Sequence, residues 1–304
     1  MQLGFVSAVL KDQSLEEILR FAAETGYGCV EVMCWPSASA QMQNAGPCHL
    51  DVTRLGPEDQ RQIRALCKHF GVNISALGYY PNPLSADAEE AKVACSHLHQ
   101  VIEAAAVLGI GLVTTFVGRD HRKSVDENWP RFLETWHPLI QHAEQLGVRV
   151  AIENCPMLFA DDQWPGGKNL ATTPAIWRKM FDAIPSANFG LNLDPSHLIW
   201  QQIHPAHAIH GFRDRLFHVH AKDARIDALA LNEHGVLSNP RLWHTPKLPG
   251  LGDLNWGAFF GSLGDVGYSG PVTVEVEDRS FQGSLERRHA SLVQSYRYLQ
   301  QFVS

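Results

Sequence analysis

Four short segments of the chain place metal-binding side chains where an apolar run ends. They are Ile152-Glu153-Asn154, Leu193-Asp194-Pro195-Ser196-His197, residues 218–223 (His-Val-His-Ala-Lys-Asp) and residues 273–278 (Thr-Val-Glu-Val-Glu-Asp). Acidic residues are depleted in strands, so strand propensity does not explain an acid in this position. Carboxylate and imidazole groups from several strand ends can together hold one divalent cation. The four segments therefore predict a metal site in the second half of the chain.

Alternation along the last two predicted strands decides which side chains share a face. His218, His220 and Lys222 share one face of the seventh strand, and Glu275 and Glu277 share one face of the eighth. A polar face at the mouth of a barrel is stable when its groups are paired or bound to a metal. Alternation alone leaves a slip of two residues open, between His218 and His220 and between Glu275 and Glu277.

Eight apolar runs alternate with helical patterns, as expected for βα units on a parallel sheet. Strands are predicted at 3–7, 29–33, 73–77, 112–116, 148–153, 189–194, 216–220 and 272–275. Helices are predicted near 14–25, 57–70, 87–108, 125–146, 174–183, 201–210, 256–265 and 285–302. Ser14-Leu15-Glu16-Glu17 and Ser124-Val125-Asp126-Glu127 fit the capping box that begins a helix.

These elements predict one α/β domain over residues 1–304, a single (β/α)8 TIM barrel with long loops after strands 2, 5 and 7. The loops span 34–56, 156–173 and 224–255. Loops that follow strands line the catalytic mouth of this fold, so we expect them to form a lid or a substrate wall. Decorative insertion or subunit contact is the alternative. They carry Trp35, His49, Trp164, Lys168, His234, Trp243, His244 and Lys247.

Charge and composition disfavour nucleic-acid and membrane partners and indicate a compartment. A formal net charge of −7 disfavours a nucleic-acid or anionic-membrane surface, which needs a basic footprint. The six cysteines include no CxxC pair, which is typical of reduced thiols in a cytoplasmic protein. The sequence shows no signal-peptide pattern and no apolar stretch long enough to span a membrane. We therefore expect a cytoplasmic protein with a small-molecule partner.

The chain resembles the xylose isomerase-like TIM-barrel superfamily, specifically its sugar phosphate isomerase/epimerase group. The resemblance rests on the Ile-Glu-Asn at 152–154, the Asp-x-x-His at 194–197 and the His-Val-His-Ala-Lys-Asp at 218–223. Further matches are Gly-Leu-Gly-Asp-Leu-Asn-Trp at 250–256 and the Gly-Tyr-Ser-Gly-Pro lead at 267–271. It covers essentially the whole chain, and its motifs specify the superfamily better than any one reaction.

The resemblance implies a role for individual residues. It makes Glu153, Asp194, His220 and Glu275 the ligands of one divalent cation, with Glu153 and Glu275 also the catalytic pair on opposite sides of the reacting carbons. It makes His197 a substrate contact. Three oxygen donors and one nitrogen favour Mn²⁺ or Mg²⁺, and the imidazole also suits Co²⁺ or Zn²⁺.

Several of these residues have a second interpretation. His197 could instead support a ligating carboxylate. Lys222 could bind substrate or form an ordinary ion pair with Asp223. Asn154 is expected to orient Glu153, and Cys155 has no evident base that would make it a nucleophile.

Two further motifs are interpreted without a catalytic role. His204, His207 and His210 share one helical face, which we interpret as solvent-exposed or as a contact in a homodimer. The Gly250-x-Gly252 pair is a weak signal for phosphate binding, and a tight turn explains it equally well.

The predicted function is a metal-dependent isomerase or epimerase that acts on a keto-sugar, sugar phosphate or cyclitol through an enediolate. The alternative is a dehydratase or lyase, such as an inosose dehydratase-like or keto-glycoside-cleaving enzyme, which shares the first proton abstraction. Remote alternatives are an abasic-site endonuclease and a non-catalytic sugar-binding protein. The endonuclease would need histidines at the ends of the third and fourth strands, where residues 75–78 and 114–117 supply none.

Overall fold

The computed structural model describes residues 1–37 and 46–303. Within these residues eight parallel strands form a barrel: β1 (Gln2–Val6), β2 (Cys29–Met33), β3 (Asn73–Gly78), β4 (Leu112–Thr115), β5 (Arg149–Glu153), β6 (Phe189–Leu193), β7 (Leu216–Ala221) and β10 (Pro271–Val274). The barrel closes in the order β1-β10-β7-β6-β5-β4-β3-β2. The predicted TIM barrel is confirmed.

Helices connect the strands and cover the outside of the barrel. They are α1 (Leu15–Thr25), α2 (Pro57–Phe70), α3 (Ala88–Leu108), α4 (Val125–Gln145), α5 (Pro174–Ala183), α6 (Ser196–Ile199), α7 (Pro205–Gly211), α8 (Ala228–His234), α9 (Trp256–Asp265) and α10 (Leu285–Leu299). Both predicted capping boxes form, at Ser14–Glu17 and Ser124–Glu127. No helix in the described ranges is long and apolar enough to cross a membrane.

Two predicted stretches differ from the structure. The segment 224–255 is not a simple loop, because β8 (Asp223–Ile226) and β9 (His244–Lys247) pair as an antiparallel hairpin around α8. The helix predicted near 201–210 is α7, which begins only at Pro205, and a break at residues 200–204 separates it from the short α6, which was not predicted. Pro205 explains the break, since proline is well tolerated at the first position of a helix and disfavours helix in the residue before it.

The main core lies between the strands and the helices, and a smaller apolar group lies apart from it. The smaller group consists of Ala76, Leu112, Ala151 and Phe217. Since His218 and His220 share one face of the seventh strand, alternation predicts that Phe217 faces the helices, and this prediction is wrong. Gly190 on β6 makes room for its ring, since a Cβ there would lie 2.5 Å from a ring carbon of Phe217.

Candidate functional site

The four predicted ligands come together at the carboxyl ends of their strands. Glu153 is the last residue of β5, Asp194 and Glu275 directly follow β6 and β10, and His220 lies near the end of β7. One donor atom from each lies within 4.8 Å of the donor atoms of the others. Donors bound to one cation at about 2.0–2.2 Å lie roughly 3–4.5 Å from one another, so the spacing fits a single divalent ion.

Three members of this cluster are buried and Glu275 is partly buried, and two of their atoms make no hydrogen bond within the described residues. His220 Nδ1 lies 3.4 Å from Glu275 Oε2 and 3.7 Å from Glu153 Oε2. Asp194 Oδ1 accepts a hydrogen bond from the Ser196 amide at 2.8 Å. Among the described residues, neither His220 Nδ1 nor Asp194 Oδ2 makes a hydrogen bond. Asp194 Oδ2 is 3.0 Å from the Lys222 ammonium, whereas His220 Nδ1 lacks any hydrogen-bond partner among the described residues. A buried polar atom without a partner is costly, and a cation at this point would satisfy His220 Nδ1.

The cluster contains His220 and Glu275 rather than His218 and Glu277. Both ring nitrogens of His218 already have partners, Asn192 Oδ1 at 3.0 Å and the Ser75 hydroxyl at 3.3 Å. Burial lowers the pKa of His218 to about 4, so its ring is neutral at neutral pH. His218 therefore belongs to a hydrogen-bond network beneath the cluster.

Glu31, in the middle of β2, is a component of the site that the sequence reasoning missed. Its side chain is fully buried and accepts hydrogen bonds from His220 Nε2 at 2.7 Å, from the Thr114 hydroxyl at 2.7 Å and from the Tyr80 hydroxyl at 2.5 Å. Burial opposes its charge, but the charge of His220 and these hydrogen bonds lower its pKa to about 2. A carboxylate on one ring nitrogen fixes the imidazole so that the other nitrogen faces the donor cluster.

The strand sequence Cys29-Val30-Glu31-Val32-Met33 carried the signal for Glu31. A single acid in a buried strand needs partners, by the same reasoning that identified the strand-end acids. The group Glu31, His218 and His220 could by spacing alone hold a cation. We interpret it instead as a hydrogen-bond network, because the facing atoms bond to one another and to Asn192.

Lys222 lies among the carboxylates. Its Nζ is 2.6 Å from Glu275 Oε2, 3.0 Å from Asp194 Oδ2 and 3.1 Å from Glu277 Oε2. Burial disfavours the ammonium, but the charges of these carboxylates raise the pKa of Lys222 well above its ordinary value. Burial likewise opposes ionisation of Glu275, yet the charges of Lys222 and His220 lower its pKa. Lys222 and Glu275 are therefore ionised at neutral pH.

The ordinary ion pair between Lys222 and Asp223 is not what the structure shows. Asp223 accepts hydrogen bonds from the amides of Gly250 and Leu254 and from the Trp256 indole, at 2.9–3.1 Å. The glycine pair at 250–252 is thus a turn closed around a carboxylate. A phosphate at this turn would compete with that negative charge.

His197 and Asn154 differ in how closely they match their expected roles. His197 lies in α6 with its Nε2 3.3 Å from Asp194 Oδ2 and 3.6 Å from Glu153 Oε1, and burial lowers its pKa to about 4. A neutral imidazole there can serve a substrate oxygen or support the carboxylates. Asn154 was expected to orient Glu153, but its amide bonds to the backbone of Asp194, donating at 2.9 Å and accepting at 2.7 Å.

A cavity of about 420 Å³ opens next to the cluster. Glu153, Lys222, Glu275 and Glu277 line it on the polar side. Of the three long loops, the first contributes Trp35, Pro36 and Gly46, and the second contributes Met157, Phe159 and Lys168. No described residue of 224–255 lines it, so a substrate wall from this segment is not seen. Part of the first loop, residues 38–45, lies outside the described residues.

Two remaining sequence interpretations concern the Cys155 thiol and the three histidines at α7. Cys155 lines the cavity, and burial raises the pKa of its thiol well above its ordinary value, which agrees with the absence of a nucleophilic role. His204, His207 and His210 are exposed at α7, away from the cluster. Their exposure agrees with the expected solvent face, and a homodimer contact there remains a prediction.

Known proteins of similar sequence and structure were compared with the chain. Inosose dehydratase of Geobacillus kaustophilus is 23% identical over 252 residues, 78% of each chain. YfiH of Bacillus subtilis, an uncharacterized protein, is 26% identical to this chain. The alignment covers 91% of this chain and 93% of YfiH. The crystal structure of D-psicose 3-epimerase with D-tagatose, from Clostridium cellulolyticum H10, superimposes with a TM-score of 0.73 at 15% identity over 100% of both chains.

The family comparison covers nearly the whole chain. The model described as Xylose isomerase-like TIM barrel matches residues 19–302, which contain the four ligand-bearing strand ends and Glu31. The protein belongs to the xylose isomerase-like TIM barrel family.

Proposed function

We propose that the protein is a metal-dependent isomerase or epimerase that moves a proton next to the carbonyl of a keto-sugar or cyclitol. The observation that carries the proposal is the placement of Glu153 and Glu275. They come from β5 and β10, the outer two of the four neighbouring ligand-bearing strands, and both line the cavity. Two carboxylates on opposite sides of one substrate can remove a proton from one face and return a proton to the other.

The donor set fits a divalent cation held by Glu153, Asp194, His220 and Glu275. When bound, the cation would stabilise the negative charge that develops on the carbonyl oxygen during deprotonation. Glu275 is ionised and can accept a proton from the substrate carbon, and Lys222 holds its carboxylate in place through a hydrogen bond of 2.6 Å. His197, neutral and close to Asp194 and Glu153, is proposed to donate a hydrogen bond to a substrate oxygen on this side of the cavity.

A dehydratase is the second candidate, and two observations favour it. One of the named relatives is an inosose dehydratase that aligns with 78% of this chain. In addition, Glu277 adds a further carboxyl group to the cavity wall, 3.1 Å from Lys222. Loss of water after the shared proton abstraction needs a group that assists the departing hydroxyl, and Glu277 or Lys222 could supply it.

One experiment tests both candidates. The purified protein with Mn²⁺ is incubated in heavy water with D-fructose, D-psicose, D-tagatose and inosose, and the products are followed by NMR and mass spectrometry. We expect a carbon-bound deuterium next to the carbonyl. Rearrangement with retained mass apart from deuterium supports the epimerase, and loss of one water supports the dehydratase. No deuterium uptake from any compound, with the metal shown to be bound, would contradict proton abstraction from these substrates.

A further inference from the structure

The mouth of the barrel has two halves of different character. The ligand-bearing strands β10, β7, β6 and β5 are neighbours, and β4, β3, β2 and β1 complete the ring. All four residues of the donor cluster come from the first half. A substrate whose reacting carbons lie at the cluster must therefore extend its remaining part over the second half, which we call the β1–β4 half.

The β1–β4 half presents an apolar surface to the cavity. Its described wall residues come from the ends of these strands and from α3, and the apolar ones are Val6, Ala8, Met33, Trp35, Pro36, Tyr79, Pro81, Val93, Ala94 and Phe116. Trp35 meets Tyr79 edge to face at 5.0 Å, and Phe116 meets Tyr80 in the same way at 4.9 Å. Such aromatic walls accept a further apolar ring in the same geometry.

Several polar side chains in this half already have protein partners. The Tyr80 hydroxyl donates to Glu31, and the Glu90 carboxylate accepts from the Ser85 hydroxyl. The Asn82 side chain donates to the Arg119 carbonyl and accepts from the amides of Arg119 and Leu84. Among the described lining residues of this half, the buried side-chain donor left without a partner is Trp35 Nε1. A second sugar ring here would therefore bury several hydroxyl groups against one free buried donor, which is unfavourable. An apolar group meets no such penalty.

The charges around the cavity also disfavour a phosphate. The charged residues among its described lining are Glu90, Glu153, Glu275, Glu277, Lys168 and Lys222. Lys222 already contacts three carboxylates, which leaves Lys168 against the remaining acids. These lining side chains alone are net negative, and one divalent cation at the donor cluster would only offset that excess, so no net positive charge is left to attract a phosphate, whereas a neutral substrate needs none.

We propose that the substrate is a neutral keto-glycoside with an aryl aglycone, seated with its reacting carbons between Glu153 and Glu275 and its aglycone against Trp35, Val93 and Phe116. The inference rests on the proposed function for the position of the reacting carbons. The cavity of about 420 Å³ is within the range of pockets that hold drug-sized ligands, roughly 300–1,000 Å³.

Calorimetry on the Mn²⁺-loaded protein tests this inference with a matched pair of probes, the phenyl and the methyl glycosides of 3-keto-D-glucose. We expect the phenyl compound to bind at least about tenfold more tightly, because its ring is removed from water. Trp35→Ala and Val93→Ser should reduce that preference severalfold. Val93 is 41% exposed, so its replacement leaves the fold intact. Leu229→Ala, at a side chain that is 82% exposed on α8, is the control and should keep the preference.

Equal affinity for the two probes, or no binding of either, would overturn the inference. Deuterium exchange measured in the same samples separates this failure from that of the proposed function. If both probes exchange deuterium but bind equally, the proton chemistry stands and the aryl site does not. If the phenyl compound binds more tightly and neither exchanges, the aryl site stands and the proton abstraction is wrong.

Discussion

At the scale of single residues, the contact between Glu31 and His220 links the network beneath the cavity to the donor cluster. Glu31→Gln keeps the shape of the side chain but replaces the carboxylate that accepts from His220 Nε2 at 2.7 Å. The amide oxygen can still accept, but the imidazole loses the negatively charged partner that fixes its orientation. We expect Mn²⁺ to bind about 10–100-fold more weakly, as measured by competition with a chelator.

The control for this prediction is Glu286→Gln, an exposed acid in α10 whose loss should not change metal affinity. Circular dichroism should show that Glu31→Gln is folded. Unchanged Mn²⁺ affinity in a folded Glu31→Gln protein would mean that His220 needs no support from Glu31.

Glu275 is the residue on which the proposed proton transfer depends most directly. Glu275→Gln keeps a ligand oxygen but removes the ionised proton acceptor that Lys222 holds in place. We expect kcat to fall by at least ~10²-fold on whichever substrate the deuterium experiment identifies. Steady-state kinetics at saturating Mn²⁺ measure this, and near-normal turnover would rule out the scheme with two carboxylates.

His197 decides between a substrate contact and a support for the ligands. In His197→Ala the donors Asp194 and Glu153 keep their own positions in β6 and β5, so we expect normal metal affinity. A hydrogen bond that strengthens in the transition state would be lost, so kcat should fall more than KM rises. If the variant instead loses Mn²⁺, the fall in kcat comes from loss of the metal, and His197 supports the ligands.

At the scale of elements, the sequence predicted which strands bring the four members of the donor cluster together, because each of these strands ends in an unusual way. Asp194 and Glu275 stand directly after an apolar strand, where an acid has no local reason to be. Glu31 was missed because it lies inside its strand, and its partner His220 is distant in sequence. Phe217 was misplaced because the register between β6 and β7 shifts beside it, which breaks the alternation, and Gly190 on β6 leaves room for its ring. Local pattern thus predicts which strands carry the site, while contacts between strands decide the rest.

The ends of β1 and β2 are joined by a small network that also shapes the cavity. His49 Nδ1 accepts from the Ser7 hydroxyl at 2.8 Å, Ser7 accepts from the Met33 amide at 2.9 Å, and His49 Nε2 donates to the Leu10 carbonyl at 3.3 Å. This arrangement requires a neutral imidazole. Burial, the larger effect, lowers the pKa of His49 from 6.5 to about 4, against the hydrogen bond to Leu10.

This pKa gives a pH dependence with a definite sign. Below pH 6.5 the unfolded chain binds a proton at His49 that the folded protein does not bind until about pH 4. The contribution of His49 to stability is therefore complete above pH 6.5 and is lost as the pH falls towards 4. Urea unfolding of the protein and of His49→Gln should show a difference in free energy of unfolding that shrinks between these values. A difference that is constant over this range would mean that the imidazole is not held neutral.

At the scale of the whole molecule, the proposed function and the proposed substrate divide the mouth of the barrel into a half for chemistry and a half for selection. The acids Glu153, Asp194 and Glu275 lie on neighbouring strands, where one cation can neutralise several of them. The β1–β4 half carries the buried Glu31 but offers mostly apolar side chains to the cavity. Substitutions in this half should thus change which substrate is used, and substitutions in the other half should change the rate for every substrate.

The same concentration of acids makes metal binding a determinant of global stability. Burying several carboxylates close together is unfavourable, and Lys222 contacts two of those in the donor cluster, Asp194 and Glu275. A cation that binds the folded protein alone stabilises it by about 2.7 kcal/mol when its free concentration is about 100 times Kd. We expect saturating Mn²⁺ to raise the Tm of chelator-treated protein by several degrees in a thermal melt. Asp194→Asn should lose most of this rise and Glu286→Gln should keep it. An equal rise in Asp194→Asn would place the stabilising cation elsewhere on the protein.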